Sequence, residues 1–108
     1  MTTRGGNCFL AYTIEYSREA LVHLRALTVP QRNTTLEAVE VQLTHEPTVE
    51  TRNRKPMRPN PLAPWELRTG DLRVYYDVDE APEKRVRVLA VGLKERNRVR
   101  IGGKEFEL

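Results

Sequence analysis

Apolar and polar residues alternate over Tyr12-Thr13-Ile14-Glu15-Tyr16, inside a strand-forming run that starts at Cys8, and this predicts a β-strand with one buried face. Ser17 is placed to cap a helix, with Glu19 and Ala20 in its first turn. Ala20, Leu21, Leu24 and Leu27 then fall on one side, away from Arg18, Glu19 and Arg25. Pro30 interrupts that helix and suits the start of another, in which Leu36, Val39 and Leu43 repeat at helical spacing until Pro47. Two short helices joined by so tight a break should form a hairpin.

Pro47, Pro56, Pro59, Pro61 and Pro64 crowd the next stretch, so residues 47–64 read as a long extended connection. Strands return at Trp65-Glu66-Leu67-Arg68, ahead of a turn at Thr69-Gly70-Asp71. Leu72, Val74, Tyr76 and Val78 should share one strand face, and Arg73, Tyr75 and Asp77 the other. After a second turn at residues 79–83, Val86, Val88, Ala90 and Gly92 alternate with Arg85, Arg87, Leu89 and Val91. Connections this short imply antiparallel neighbours and hence a three-stranded meander over residues 65–93. Gly102-Gly103 reads as a turn, and the tail could add a short edge strand. The expected fold class is α+β: an N-terminal strand and a two-helix hairpin packed on an antiparallel sheet with a C-terminal three-stranded meander. The chain is expected to form one domain over residues 1–108.

Composition narrows the class. At 39% apolar and 31% charged, the chain has the makeup of a compact fold rather than a disordered one. No apolar run approaches the ~18 residues of a membrane span. Met1-Thr2-Thr3-Arg4-Gly5-Gly6-Asn7 has no apolar core of a secretion signal, so the expected location is cytoplasmic. One cysteine, Cys8, excludes an internal disulfide and a cysteine-based zinc site. His23 and His45, both expected on the helices, add little metal-binding capacity. No cofactor is expected.

The net charge is +3, but it is unevenly spread. Residues 1–50 hold four Lys/Arg against six Asp/Glu, whereas residues 51–108 hold fourteen against nine. Two basic clusters stand out: Arg52, Arg54, Lys55 and Arg58, then Lys94, Arg96, Arg98 and Arg100. A basic face is suited to nucleic acid or to an acidic protein partner. The predominance of arginine favours bidentate contacts to phosphate or carboxylate.

The run Trp65-Glu66-Leu67-Arg68-Thr69-Gly70-Asp71-Leu72-Arg73-Val74-Tyr75-Tyr76 resembles the core signature of the RelE/ParE superfamily of toxins from bacterial type II toxin–antitoxin systems. Val88-Leu89-Ala90-Val91-Gly92-Leu93-Lys94-Glu95-Arg96 is similar to the last core strand and basic exit of those toxins, and the likeness spans roughly residues 12–100. The resemblance implies a small toxin with a basic concave sheet face, wrapped by a cognate acidic antitoxin. In the RelE branch it implies a metal-independent mRNA endonuclease acting on the ribosome and inhibiting translation. In the ParE branch it implies a non-catalytic inhibitor of DNA gyrase. A degenerate toxin that only binds its antitoxin is a third reading.

Metal-free RNA cleavage requires an activated 2′-hydroxyl, a stabilised phosphate and a protonated leaving oxygen. The resemblance makes Arg73 the phosphate-binding arginine and puts Lys94 where that branch has another arginine. Arg68 matches a second superfamily arginine, and Arg96 keeps the next basic position. Arg98, Arg100, Arg54 and Lys55 complete the expected RNA- or phosphate-binding set. Pro64 and Glu66 stand where the branch carries lysines, and Arg100 stands at its usual tyrosine, which leaves Glu66 as a substitute base and Tyr75 as the proton donor or stacking residue. Arg68 and Arg73 also have a purely structural reading, as ion-pair partners of Glu66 or Asp71.

Overall fold

A computed structural model describes residues 11–106. Cys8 and the expected beginning of the first strand lie outside the described residues. The strand β1 (Thr13–Tyr16) presents Ile14 and Tyr16 to the core side and leaves Thr13 and Glu15 exposed. Ser17 ends it and caps α1 (Arg18–Ala26), its hydroxyl accepting from the Ala20 amide at 3.0 Å. Thr28 and Gln31 form a reciprocal capping box at the start of α2 (Val29–Leu43), with Pro30 in the first turn. Arg32 then reaches back, donating from Nε to the Leu24 carbonyl at 3.0 Å and from Nη2 to that of Leu27 at 3.2 Å. Carbonyls that α1 leaves open at its end are thereby satisfied from the neighbouring helix.

The expected helical stripes hold at most positions and shift at two. Ala20, Leu24 and Leu27 are buried, but Leu21 faces outward. In α2 the buried row is Thr35, Val39 and Leu43, at i, i+4 and i+8, and this turns Leu36 partly out to solvent. Thr35 is tolerated in the core because its hydroxyl donates to the Gln31 carbonyl at 2.8 Å.

Residues 47–64 are not irregular throughout. Arg54–Pro56 forms β2, antiparallel to β3 (Trp65–Thr69). β4 (Leu72–Asp79) and β5 (Arg85–Glu95) continue the meander, and a terminal hairpin of β6 (Arg98–Ile101) and β7 (Lys104–Phe106) follows. The tail therefore contributes two strands, with Gly102 and Gly103 in the left-handed turn between them. The order β2-β3-β4-β5-β6-β7 is antiparallel, while β1 lies parallel to the first half of β5.

A β-bulge revises the expected face pattern of β5. Tyr75 pairs with Ala90 but Tyr76 with Val88, so Leu89 is an extra residue. Beyond it the parity reverses. Val91 and Leu93 join Val86 and Val88 against the helices, while Ala90 turns to the other side with Tyr75. That other side is not an open basic surface, because Tyr75, Ala90, Val99 and Ile101 form a second small core with Ala63 of the proline-rich loop. The loop is held closed by Met57 N–H donating to the Pro64 carbonyl at 2.8 Å. Asn60 braces it further, accepting from the Leu62 and Ala63 amides and donating to the Arg58 and Ala63 carbonyls.

Candidate functional site

Between this loop and the β5–β6 turn lies a cleft of about 690 Å³. Its floor comes from β3 and β4. Strand register places Lys55, Glu66 and Tyr75 in one row across β2, β3 and β4, and Arg68 opposite Arg73 in another. Lys94, paired with Val99, brings a further cation to the same face. The cleft thus gathers five cations, Lys55, Arg58, Arg68, Arg73 and Lys94, around a single carboxylate, Glu66.

Each floor side chain is held by specific bonds. Glu66 is 7% exposed, and its Oε1 accepts from Arg68 Nε at 2.7 Å. Arg73 is 8% exposed and donates from Nη1 to the carbonyls of Gly70 at 2.7 Å and Leu72 at 2.9 Å. Its Nε and Nη2 donors have no partner among the described residues. The Lys94 backbone is fixed by donation to the Asp71 carbonyl at 2.7 Å, and its ammonium makes no ion pair among the described residues. The Arg73 guanidinium is thus anchored through one nitrogen, with the other two open to further acceptors.

Tyr75 lies behind this floor. It shares the face of Arg73, as the alternation implies, but it is fully buried and cannot stack on a base. Its hydroxyl closes no hydrogen bond, although the Glu66 carboxylate is beside it. Burial, reinforced by the Glu66 charge, pushes the phenol pKa far up, against the opposing pull of Arg73 and Arg68. The phenol is a second wall for Glu66 rather than an accessible acid.

Three of the arginines singled out from the sequence are not in the cleft. Arg54 is buried and donates to the Val49 carbonyl and to both the backbone and side-chain oxygens of Gln42, at 2.8–2.9 Å. It ties the end of α2 to β2. Arg100 pairs with Leu93, whose side chain belongs to the helix-side core, so it faces away from the cleft and engages Glu95 at 2.9 Å. Arg98, two residues earlier on the same face, binds Glu105 at 2.9 Å. A charge run on a strand alternates sides, and only every second residue reaches one face. Arg96 sits at the β5–β6 turn in the left-handed region, with φ 58°, exposed beside the cleft. Lys55 lines the cleft and also pairs with Glu50 at 3.5 Å.

Sequence reasoning passed over Asn97 and the wall formed by Pro56, Met57 and Pro59. Asn97 had a signal, being next to a predicted strand exit. The wall had none, because only the closure of the loop over β4 and β5 creates it. His23 lies on the helix side, accepting at Nδ1 from the Val91 amide at 3.2 Å. His45 is exposed just beyond α2. Among the described residues no group of three or more His, Cys, Asp or Glu side chains gathers as a metal site. No described helix is long and apolar enough to cross a membrane.

A strand, a helical hairpin and a meander, with arginines at the first meander turn and a basic exit from the last long strand, form the arrangement that the resemblance to RelE-type toxins implies. One chain in the crystal structure of the toxin–antitoxin complex RelBE2 from Mycobacterium tuberculosis superposes on this chain with a TM-score of 0.66 at 25% identity, covering 78% of this chain and 99% of the other. No family model and no curated protein matches the sequence.

Proposed function

We propose that this toxin cleaves messenger RNA on the ribosome, with the basic cleft as its active site and a cognate acidic antitoxin as its natural partner. The observation that carries this reading is the convergence of one buried, oriented carboxylate with Arg73 and Lys94, neither of which has a carboxylate partner among the described residues. In the proposed reaction Glu66 accepts the proton of the 2′-hydroxyl, whose oxygen attacks the adjacent phosphorus. The bond from phosphorus to the 5′ oxygen breaks, Lys94 delivers a proton to that oxygen, and a 2′,3′-cyclic phosphate and a 5′-hydroxyl result. Arg73 stabilises the extra negative charge of the pentavalent phosphorane more than that of the ground state. Arg68 orients Glu66, while Lys55 and Arg96 steer the RNA backbone.

The same excess of cations supports the antitoxin partnership. A complementary acidic segment laid in the cleft would neutralise it and block the RNA. The structural counterpart comes from a toxin–antitoxin complex, which fits that arrangement.

Induced expression in bacteria, with primer extension on a messenger RNA and a gyrase supercoiling assay in parallel, tests the reading. New 5′ ends within translated codons with supercoiling intact are expected. Loss of supercoiling without mRNA cleavage would identify a gyrase inhibitor instead, and neither effect would identify a chain that only binds its antitoxin.

A further inference from the structure

Two asparagines flank the cleft, and they are used differently. On the loop side, the Asn60 amide is committed to four hydrogen bonds within its own loop. On the turn side, the Asn97 side chain is exposed, lines the cleft and has no hydrogen-bond partner among the described residues. Its neighbour sharpens the contrast. The two-residue turn between Glu95 and Arg98 needs one residue in the left-handed region, a conformation that asparagine tolerates better than arginine. Yet Arg96 occupies it, at φ 58°, and Asn97 does not. Turn chemistry alone would place these two residues the other way round. The observed order leaves a free amide at the cleft wall.

The wall on the loop side is apolar, built from Pro56, Met57 and Pro59. A cleft with cations on its floor, an apolar shelf on one side and a free amide on the other has the parts needed for one unstacked nucleotide. The phosphate meets Arg73 and Lys94, the base lies on the shelf, and the amide reads the base edge. A carboxamide presents one donor and one acceptor side by side, and its best-matched bidentate partner is adenine, through N6 and N7.

We propose that Asn97 is a specificity-determining residue that makes the cleft select adenine in single-stranded RNA. This rests on the reading of the cleft as an RNA site. Fluorescence anisotropy with the purified full-length chain and labelled octamers of adenylate, cytidylate and uridylate tests it, at one fixed salt concentration. The adenylate octamer should bind roughly tenfold more tightly than the other two, the discrimination expected of one bidentate amide–base pair. Asn97→Gly suits the turn and removes the amide. It should bring the three affinities within about twofold of one another, with the uridylate affinity unchanged. Asn97→Ala should do the same if it folds. Equal affinities in the parent chain, or an adenine preference that survives Asn97→Gly, would overturn the assignment while leaving the RNA reading intact. Absence of binding to all three octamers would overturn the assignment of Asn97 as a reader of single-stranded RNA, while absence of cleavage in the primer extension above would overturn the RNA reading itself.

Discussion

Arg68 and Arg73 stand directly opposite each other across the β3–β4 hairpin. Like charges in that position repel, and a sheet selected only for stability would not place them there. Arg68 is compensated by Glu66, whereas Arg73 has only two carbonyl oxygens among the described residues. In the proposed function, a phosphate lying between the two guanidinium groups would remove the repulsion.

The first expected outcome follows from that repulsion. Arg73→Met keeps the packed stem and discards the charge, so relief of the repulsion should return up to about 1 kcal/mol at low salt. That offsets only part of the loss at the Gly70 and Leu72 carbonyls, which give up a charged donor worth about 1.5–3 kcal/mol per bond. The net loss of stability should therefore be larger at high salt, where the repulsion is already screened. Thermal melts at low and high salt check this, and an equal loss at both would mean that the two arginines do not repel measurably.

Arg54 should behave in the opposite way. Its guanidinium serves Val49 and Gln42 inside the fold, and Arg54→Ala leaves those oxygens unsatisfied. Hydrogen bonds to a charged group contribute about 1.5–3 kcal/mol each and do not add simply, so a loss of roughly 2–4 kcal/mol is expected. Arg54→Lys should rescue little of it, because an ammonium cannot span the same acceptors. Urea denaturation measures both, and a change below about 0.5 kcal/mol would be the value for an ordinary surface residue.

His23 links the helix side to pH. Its Nδ1 accepts from Val91, which only the unprotonated ring can do, and burial holds its pKa below the ordinary value despite nearby Glu19. The folded state therefore binds its proton less readily than the unfolded chain does. This contribution is fully present above the unfolded pKa of about 6.5 and is lost as pH falls through the lowered folded value. Melting temperature should drop between neutral pH and pH ~5 by more in the parent chain than in His23→Gln. Parallel pH profiles would show that His23 is not the sensor.

Gly92 tests the seating of Lys94. A Cβ there would lie 2.6 Å from the Arg100 carbonyl oxygen and 2.7 Å from Ile101 Cγ1, and neither backbone nor packed core can yield cheaply. Gly92→Ala should cost about 1–3 kcal/mol through overpacking and should weaken RNA binding by displacing the strand exit. Calorimetry with a binding titration measures both, and an unaltered melting temperature would show that the β5–β6 pairing is looser than it stands here.

Much of the architecture was legible because it rests on local periodicity and caps. Ser17, Pro30 and the Gly70 turn each specify an element boundary through chemistry within four residues, whereas the Thr28–Gln31 capping box came to light only in the structure. The resemblance at residues 65–76 located the hairpin that carries Arg68 and Arg73. The bulge at Leu89 was not legible, since an alternating apolar run shows no extra residue until its partner strand is aligned. Nor was the second core, because Ala63 and Met57 look like ordinary loop residues until the loop closes over Tyr75. Arg54 looked like part of a basic patch for the same reason: its partners lie 5 and 12 residues away, on backbone atoms that composition does not reveal.

The central claim is that Glu66 and Arg73 perform chemistry on RNA in one cleft. Its most direct test is single-turnover cleavage of a messenger on programmed ribosomes by the parent chain, Glu66→Gln and Arg73→Ala. Arg73→Ala should slow the chemical step on the order of a hundred- to thousandfold, the usual loss for one transition-state contact. Glu66→Gln should slow it as well while leaving ribosome binding within about twofold, because a carboxamide can still accept from Arg68 but is a poor base. Cleavage by either variant at the parental rate would contradict the account.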